Sequence, residues 1–327
     1  MKILIRLPNW LGDVVMSTAF VSAVRANYPD ALIDVIIKKE LGGVALLIPG
    51  IRNIFPFSKN EYKGIRGVLK FGFQLKTEQY DLFLNLPGSL SSKLLAWATG
   101  AKQRIGYNGE GGFLFLTKSF RKKKNVHRVE EYLSLLEQFT GKEVENKVVS
   151  LEIKKLAEPI KNRVLINFNS EASSRKMPLD KAKTILNKLT NHFQEAEFTF
   201  IGSVKEADFV NLIIENADNQ ERIKNFAGKT DLISLSNLLA TCTVVLTTDS
   251  GPAHLSNSLG TPVIVMFGAG NEFNTSPFNK QNLTVLRYGK LACEPCLNNK
   301  CKLYNEPRCM QMIDDEKIIN ALSFYLN

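Results

Sequence analysis

The sequence predicts an α/β protein built from two Rossmann-like domains in tandem. Apolar strand candidates alternate with amphipathic helix candidates along the whole chain. At 327 residues the chain exceeds the usual size of one domain, so two domains of about 150 to 165 residues each are expected. A polar, Lys/Glu-rich passage at residues 141–162 separates the two halves. We therefore place the domains at residues 1–155 and 156–327.

The first half begins with a short charged strand and continues in strand–helix alternation. Its predicted strands are residues 2–7, 32–37 and 82–86. Its predicted helices are residues 12–27, 42–48, a helix that starts within residues 88–92 and runs to Trp97, and residues 127–139. Gly100 and Gly141 are suited to end the last two helices, because glycine readily adopts the left-handed conformation of a helix C-terminus.

The second half repeats the same alternation. Its predicted strands are residues 164–168, residues 197–201, the apolar start of residues 244–254 and the apolar run at residues 262–270. Its predicted helices are residues 180–192, 205–216, 232–240, the roughly ten residues through Gly260, and residues 314–326. Two open sheets in tandem predict two carboxyl-end crevices that face each other, with the active site between them.

The turn at residues 249–254, Asp-Ser-Gly-Pro-Ala-His, is the strongest local indication of a ligand site. It follows a buried strand and opens a helix, where free backbone N–H groups and a partial positive charge favour an anion. Asp249 and Ser250 suit the N-cap region, and Gly251 allows a ligand close to the backbone. The alternative is an ordinary strand–helix turn with a buried His254.

The net charge points to acidic partners. The chain carries a formal charge of +10, and its densest basic stretch has six Lys/Arg and no acid at residues 118–128. Nucleic acid, an anionic membrane surface and a phosphorylated substrate all fit this charge, and a solvated loop is the plainer interpretation of the stretch. No apolar run reaches the roughly 18 residues of a membrane span, and the N-terminus lacks the apolar core of a signal peptide, so we expect a cytoplasmic protein.

Four of the five cysteines are closely spaced near the C-terminus, at Cys293, Cys296, Cys301 and Cys309. In a cytoplasmic chain this spacing is compatible with a structural zinc site that has four thiolate ligands. Reduced, packed thiols or a disulfide are the alternatives. Cys242 lies in an apolar context and is expected to be a small buried hydrophobe.

A single dinucleotide-binding dehydrogenase is the rival architecture. Residues 7–13, which follow the first strand, contain no Gly-x-Gly-x-x-Gly fingerprint, so this rival is disfavoured.

Several segments, taken in order, resemble glycosyltransferase family 9, the ADP-heptose:lipopolysaccharide heptosyltransferases. The segments are residues 2–13, 86–89 (Leu-Pro-Gly-Ser), 104–107 (Arg-Ile-Gly-Tyr), 128–132 (Arg-Val-Glu-Glu-Tyr), 226–230 (Phe-Ala-Gly-Lys-Thr) and 249–254. The ordered set covers nearly the whole chain. The resemblance implies the glycosyltransferase B fold, with two Rossmann-like domains facing across a cleft.

The resemblance implies inverting transfer of heptose from ADP-heptose to a hydroxyl group of the lipopolysaccharide inner core. Such a reaction needs one base and stabilisation of the departing ADP. Asp13, after Gly12, matches the candidate base of the family, although a carboxylate at a helix start is commonly just a cap. No cofactor and no catalytic metal are implied.

Donor binding is implied for residues of the second half. Arg175 and Lys176 match the phosphate-binding segment of the family, but Arg175 stands where the family carries Lys, and Met177 stands where it carries Trp. Glu206 matches a ribose-binding acid, for which a solvent-facing helix acid is the alternative. The turn residues Asp249, Ser250, Gly251 and His254 match the motif that contacts the diphosphate and sugar.

Acceptor binding is implied for the first half, with Gly12, Gly88, Ser89, Arg121 and Lys122 as candidates. The partner would be an anionic glycolipid, met by peripheral, salt-sensitive attachment at the cytoplasmic face of the inner membrane. No nucleic acid is expected. Two alternatives stay open: a sugar-nucleotide epimerase of similar architecture, which would need no acceptor, and a non-catalytic nucleotide- or nucleic-acid-binding protein, which would show steep salt dependence.

Overall fold

The chain divides into two compact units, Met1–Glu152 and Ile153–Asn327. The computed structural model describes residues 1–109, 111–153 and 158–326. The predicted joint between residues 155 and 156 lies outside the described residues. No helix within the described residues combines the length and the apolar character that a membrane crossing requires.

The first unit is a parallel six-stranded sheet covered by helices. Its strands are β1 (Lys2–Arg6), β2 (Leu32–Lys38), β3 (Asn53–Phe57), β4 (Leu82–Asn85), β5 (Gln103–Tyr107) and β6 (Lys118–Phe120), in the order β3-β2-β1-β4-β5-β6. Its helices are α1 (Leu11–Met16), α2 (Thr18–Asn27), α3 (Gly42–Ala45), α4 (Gly64–Gln74), α5 (Leu90–Ala98), α6 (Gly112–Phe115) and α7 (Arg128–Thr140).

The second unit is also a parallel six-stranded sheet with helices. Its strands are β7 (Arg163–Asn167), β8 (Glu197–Phe200), β9 (Ile223–Asn225), β10 (Val244–Thr248), β11 (Val263–Phe267) and β12 (Leu283–Arg287), in the order β12-β11-β10-β7-β8-β9. Its helices are α8 (Leu179–His192), α9 (Ala207–Ile214), α10 (Leu232–Thr241), α11 (Gly251–Ser258), α12 (Glu272–Thr275), α13 (Arg308–Gln311) and α14 (Asp315–Ser323).

The two sheets have the same topology. Counted from the first strand of each unit, both read 3-2-1-4-5-6. The chain leaves the first strand toward one edge and later returns to place the fourth strand on its other side. The carboxyl ends of β1 and β4, and of β7 and β10, are therefore the two switch points at which ligands bind in such sheets.

The central strands are buried because both faces of a parallel sheet are covered by helices. Residues 3–5 of β1 and 164–166 of β7 are fully shielded from solvent, as are residues 244–246 of β10. Their near-continuous Val/Ile/Leu composition is typical of such strands. The predicted α/β class with two Rossmann-like units is thus confirmed.

The single helix predicted at residues 12–27 is divided at Ser17. The Ser17 hydroxyl donates a hydrogen bond of 2.7 Å to the carbonyl oxygen of Val14, and the chain restarts as α2 at Thr18. A serine that bonds back to the preceding turn competes with helix continuation. The short helix α1 is therefore a separate element that carries Asp13.

Candidate active site

Most of the predicted site residues follow the strands of the two switch points, each within its own unit, whereas Arg121 and Lys122 follow β6 and Glu206 follows β8. In the first unit Asp13 lies in α1, which follows β1, while Gly88 and Ser89 follow β4. In the second unit Arg175 and Lys176 lie between β7 and α8, and Asp249 follows β10 directly. The fold thus brings each set to the edge of its sheet where ligand sites occur.

Arg6 shapes the turn between β1 and α1. Its guanidinium donates to the carbonyl oxygens of Leu7 at 2.6 Å and Ile36 at 3.2 Å, and to Oδ1 of Asn9 at 2.6 Å. Burial lowers the pKa of Arg6 to about 10, which still leaves it charged at neutral pH. These bonds fix the approach of the chain to the helix that presents Asp13.

Asp13 is held by two side chains of α7. Its Oδ1 accepts a hydrogen bond of 3.2 Å from the Tyr132 hydroxyl and lies 3.3 Å from Nε of Arg128. Burial raises the pKa of Asp13, while the Arg128 charge and the Tyr132 hydrogen bond oppose that rise. The Tyr132 pKa lies well above its usual value because of burial, so Tyr132 remains a donor. A carboxylate that is partly desolvated yet 23% exposed is suited to accept a proton from a bound substrate.

Arg128 is itself oriented by Glu131. Nη1 of Arg128 donates to both carboxylate oxygens of Glu131 at 2.8 Å, and Lys122 lies 2.9 Å from the same carboxylate. The predicted acceptor residue Lys122 therefore belongs to the ion-pair network beside Asp13. Glu131 balances two cations, so the network keeps a positive charge next to Asp13.

The other predicted acceptor residues have contacts of their own. Ser89 is the N-cap of α5, where its hydroxyl accepts from the Ser92 N–H. Gly88 faces open space, so a ligand or side chain would fit there. Arg121 is exposed, and its carbonyl oxygen accepts from Gln138. Gly12 lies in α1, directly before Asp13.

In the second unit, Asn167 ties the two central strands together at their carboxyl ends. Its amide donates to the hydroxyls of Thr247 at 3.1 Å and Ser250 at 2.9 Å. Ser250 is the N-cap residue of α11, but its hydroxyl is directed to Asn167 and to the Thr248 carbonyl oxygen. In the described structure no side chain caps the start of α11. Pro252 has no N–H, and the Ala253 N–H donates to the Ser250 carbonyl oxygen at 3.1 Å. Among the first three residues of α11, the Gly251 N–H is therefore the one left for an anionic ligand.

Asp249 is enclosed, in contrast to Asp13. Its side chain is 4% exposed, and Oδ2 lies 3.1 Å from Nη1 of Arg175. A Cβ at residue 270 would lie 2.1 Å from this oxygen, so Gly270 is required by close approach. Burial raises the pKa of Asp249 to about 6, and Arg175 and Arg287 limit the rise. Asp249 therefore fixes the direction of the Arg175 guanidinium.

Lys176 points to a different neighbour from Arg175. Its ammonium lies 3.4 Å from the centre of the Phe209 ring on α9. Burial lowers the pKa of Lys176, and Glu206 opposes this effect. Glu206 uses one oxygen to accept the Ser203 N–H at 2.7 Å in a capping box. The structural role of a helix-start acid is thus present, and ribose binding by Glu206 stays a prediction.

His254 is buried within α11, behind the turn of Asp249 to Gly251. Its neighbours in the helix are buried as well. The predicted donor residues thus divide into the Arg175–Asp249 pair, the Lys176–Glu206 side and the start of α11.

The structural zinc site at the four cysteines stays a prediction. Among the described residues, which include all four cysteines, no group of three or more metal-ligating side chains comes together. All four are free thiols, and Cys309 is buried in α13 against Gly268. Burial, together with the nearby Glu294, Cys296 and Cys293, raises the pKa of the Cys309 thiol to about 11. Reduced, packed thiols stay the alternative prediction.

The cysteine-rich loop supports the donor side of the second unit. The carbonyl oxygen of Asn299 accepts from the Ser174 N–H at 3.2 Å, directly before Arg175. The Leu297 N–H donates to Ala269 at 2.9 Å, directly before Gly270. The loop therefore holds the two segments that meet around Arg175 and Asp249.

Arg128, Glu131 and Tyr132 are site residues that the sequence analysis used only as a family motif. Their spacing of three and four residues predicts one helix face, which was the available signal. Their contact with Asp13, more than a hundred residues away in sequence, comes from tertiary packing.

The chain is similar in sequence to known glycosyltransferases. The family model described as glycosyltransferase family 9 (heptosyltransferase) matches residues 68–306. Lipooligosaccharide heptosyltransferase 2 of Campylobacter jejuni is 28% identical over 98% of both chains. Lipopolysaccharide heptosyltransferase 2 of Escherichia coli K12 is 25% identical, with 85% of this chain and 86% of that protein covered.

Two solved structures share the fold over almost the full chain. The structure of E. coli ADP-heptose lps heptosyltransferase II has a TM-score of 0.84 at 21% identity, covering 100% of this chain and 98% of the other. A family 9 glycosyl transferase from Veillonella parvula has a TM-score of 0.87 at 21% identity, covering 99% and 97%. The predicted glycosyltransferase B fold is therefore confirmed.

Proposed function

Because the chain belongs to glycosyltransferase family 9, we propose that it moves heptose from ADP-heptose to a hydroxyl group of the lipopolysaccharide inner core. The chain is a glycosyltransferase, and the relatives that align over most of their length are named heptosyltransferases. The family match carries the proposal, together with the surroundings of two side chains. At one switch point the partly exposed Asp13 carboxylate lies beside Arg128, and at the other Arg175 is paired with Asp249.

Asp13 is the base of this reaction. The acceptor hydroxyl gives its proton to the Asp13 carboxylate as its oxygen bonds to the anomeric carbon, and the bond from that carbon to the ADP oxygen breaks. Displacement from the opposite side inverts the anomeric configuration. Arg128 and Tyr132 keep the carboxylate oriented and limit the rise of its pKa, so that it is ionised before the proton arrives.

ADP leaves with its negative charge stabilised by Arg175, Lys176 and the start of α11. The fork of Arg175 is held by Asp249 and suits two diphosphate oxygens. Lys176 lies toward Glu206, so the ribose is expected on that side. Ser250, Gly251 and His254 complete the donor turn. These groups supply N–H donors and the positive charge that a metal ion would otherwise provide.

The acceptor is an anionic glycolipid that meets Gly12, Gly88, Ser89, Arg121 and Lys122. Its phosphate or carboxylate groups match the basic stretch at residues 118–128. We propose that the protein works on the cytoplasmic face of the inner membrane by peripheral contact, which salt should weaken.

Turnover with defined substrates tests this function. Purified protein is given ADP-heptose with a deacylated inner-core acceptor, and the product is analysed for mass and anomeric configuration. The proposal expects an inverted heptosyl product only when both substrates are present, and activity that survives EDTA. Conversion of the sugar nucleotide without acceptor would identify an epimerase instead. Reversible loss on EDTA addition, restored by magnesium, would contradict metal-free stabilisation of ADP.

A further inference from the structure

The net positive charge of the chain comes from one segment. Residues 62–129 contain 13 Lys/Arg and 3 Asp/Glu, a net of +10, out of totals of 42 and 32 for the chain. The remaining residues hold 29 of each sign, because 42 − 13 = 29 and 32 − 3 = 29. One segment of the first unit therefore accounts for the entire net charge, and its partner is expected to be anionic.

The same segment exposes aromatic side chains that touch one another. The Phe73 and Trp97 rings lie 6.2 Å apart, and the Trp97 and Phe115 rings lie 6.5 Å apart, all in edge-on contacts. Phe73 is 49% exposed and Trp97 is 45% exposed, while Leu114 beside Phe115 is 64% exposed. Helices α4, α5 and α6 thus share one apolar surface, which we name the aromatic face (Ile65, Leu69, Phe73, Trp97, Leu114 and Phe115).

Helix α4 has an apolar stripe beyond the one that it packs on the sheet. Its buried stripe contains Val68, Phe71 and Gly72. Ile65, Leu69 and Phe73 follow at spacings of four residues, which places them on an adjoining stripe, and Ile65 is 68% exposed. Arg66 and Lys70, both exposed, come next around the helix.

We propose that the aromatic face is the surface by which this chain docks on an anionic phospholipid bilayer. Aromatic and aliphatic side chains enter the boundary between headgroups and acyl chains, and lysine and arginine beside them bind the anionic headgroups. Lys63, Arg66, Lys70 and Lys76 supply these cations, and all four are exposed. The proposal rests on the proposed function in one respect, namely that the acceptor is a membrane glycolipid.

The charge distribution distinguishes a bilayer from other occupants. A second copy docked on the same face would oppose two segments of net +10, which repel each other. A nucleic acid would use the cations and the rings, but it has no partner for the exposed aliphatic side chains of Ile65 and Leu114. An anionic bilayer satisfies the cations, the rings and the aliphatic side chains together.

Vesicle binding tests the proposal on the full chain. Co-sedimentation is measured with vesicles of phosphatidylglycerol mixed into phosphatidylcholine and with phosphatidylcholine alone. Binding is expected only to the mixed vesicles, and it is expected to weaken as salt is raised. Ile65→Asp and Phe73→Asp should each lower the vesicle partition coefficient about tenfold, and Lys70→Gln about fivefold. Phe324→Asp is the matched control, since Phe324 is 79% exposed in the second unit, and it should bind as the unchanged protein does.

Tryptophan fluorescence shows which surface enters the lipid. The chain has 2 tryptophans, so Trp10→Phe leaves Trp97 as the single reporter. Its emission should shift to the blue on mixed vesicles and be quenched by brominated lipid. Vesicle binding without such a shift, or unchanged partition of both aspartate variants, would overturn the proposal, as would variants that change the oligomeric state in solution rather than vesicle binding.

Transfer to a deacylated acceptor separates this proposal from the function itself. Because no bilayer is involved, Ile65→Asp should keep the unchanged rate in that assay while losing rate on acceptor embedded in anionic vesicles. If Ile65→Asp matches the rate of the unchanged protein on the soluble and on the vesicle-embedded acceptor, the docking surface is contradicted. The transferase function is unaffected by that result. Absence of transfer by the unchanged protein in the soluble assay would contradict the function instead.

Discussion

Asp13 and Asp249 occupy comparable places in two sheets of the same topology, yet their surroundings differ. Each lies at a switch point, Asp13 beyond the first strand of its unit and Asp249 beyond the fourth. Asp13 is 23% exposed and has a hydrogen-bonding tyrosine and an arginine beside it. Asp249 is 4% exposed, pairs with Arg175 and has Gly270 against its carboxylate.

The difference shows that carboxyl groups at comparable switch points can have two different roles. Burial raises the pKa of both carboxyls, but only Asp13 remains open for a substrate hydroxyl. Asp249 is closed by protein atoms and can act on a ligand only through Arg175. If the exposure of each carboxyl and its neighbouring side chains determine its role, rather than its position in the fold, substitutions at Asp13 and Asp249 should have different effects.

The largest effect is expected at the open carboxylate. Asp13→Asn removes the proton acceptor but keeps the shape of the side chain, so transfer should fall by roughly 10² or more, the scale of a general base. Initial rates with saturating ADP-heptose and acceptor measure the loss. Near-normal turnover by Asp13→Asn would exclude this residue from the chemistry.

Substitution of Asp249 is expected to change the free energy of unfolding rather than proton transfer. Its pKa is 3.8 in the unfolded chain and about 6 in the folded one, so the folded chain holds the proton more tightly between these values. Stability from this group is present below pH 4 and is lost as pH rises through 6. Asp249→Asn should therefore be more stable than the unchanged protein above pH 6, by about 3 kcal/mol at most.

Urea unfolding at pH 4 to 8 measures this difference, taken as the variant minus the unchanged protein so that other titrations cancel. A difference independent of pH would mean that Asp249 is not held in a desolvated state. Glu306→Gln, which changes an exposed carboxyl in the same unit, serves as the control.

Donor affinity should separate Arg175 from Lys176. A charged hydrogen bond contributes about 1.5 to 3 kcal/mol, and Arg175 is the one held in place by an acid. Arg175→Ala should weaken ADP binding more than Lys176→Ala, whose ammonium rests on Phe209. Calorimetric titration with ADP gives both values. Unchanged affinity in both variants would contradict the donor site.

A smaller effect is expected from the arginine beside Asp13. Arg128→Met removes a charge that lowers the pKa of Asp13, so the acid limb of the rate profile should move to higher pH. The pair is partly exposed, so the rate loss on the acid side should be about threefold, and it should vanish at high pH. Lys142→Met, an exposed cation beyond the end of α7, should leave the profile in place. A loss that is equal at every pH would indicate a structural role.

The sequence was sufficient for the central strands and the order of the site motifs. Strands β1, β4, β7 and β10 were predictable because burial on both faces demands continuous apolar runs. The interior strand β5 and the edge strands β3, β6, β9 and β12 were missed. Among the edge strands, β6 and β9 have three residues each and β3 contains Pro56. An edge strand is stabilised by one neighbour and can be short or polar, which leaves a weak pattern.

The site was predictable where residues follow a strand end and not where they meet by packing. The position of Asp13 could be predicted because it follows β1 closely, whereas its contact with Tyr132 depends on how α7 packs. The cysteine spacing predicts four candidate zinc ligands, but how closely their sulfur atoms approach one another depends on how the loop packs. Backbone bonds to Ala269 and Ser174 set the path of that loop, and Cys309 is drawn into the core.

The most direct test of the account is ADP affinity in Asp13→Asn, measured by calorimetry on the same samples used for transfer. If the open carboxylate acts on the acceptor alone, the variant should bind ADP with unchanged affinity while transfer is lost. Loss of ADP affinity in parallel with transfer would contradict the division of roles between Asp13 and the Arg175–Asp249 pair.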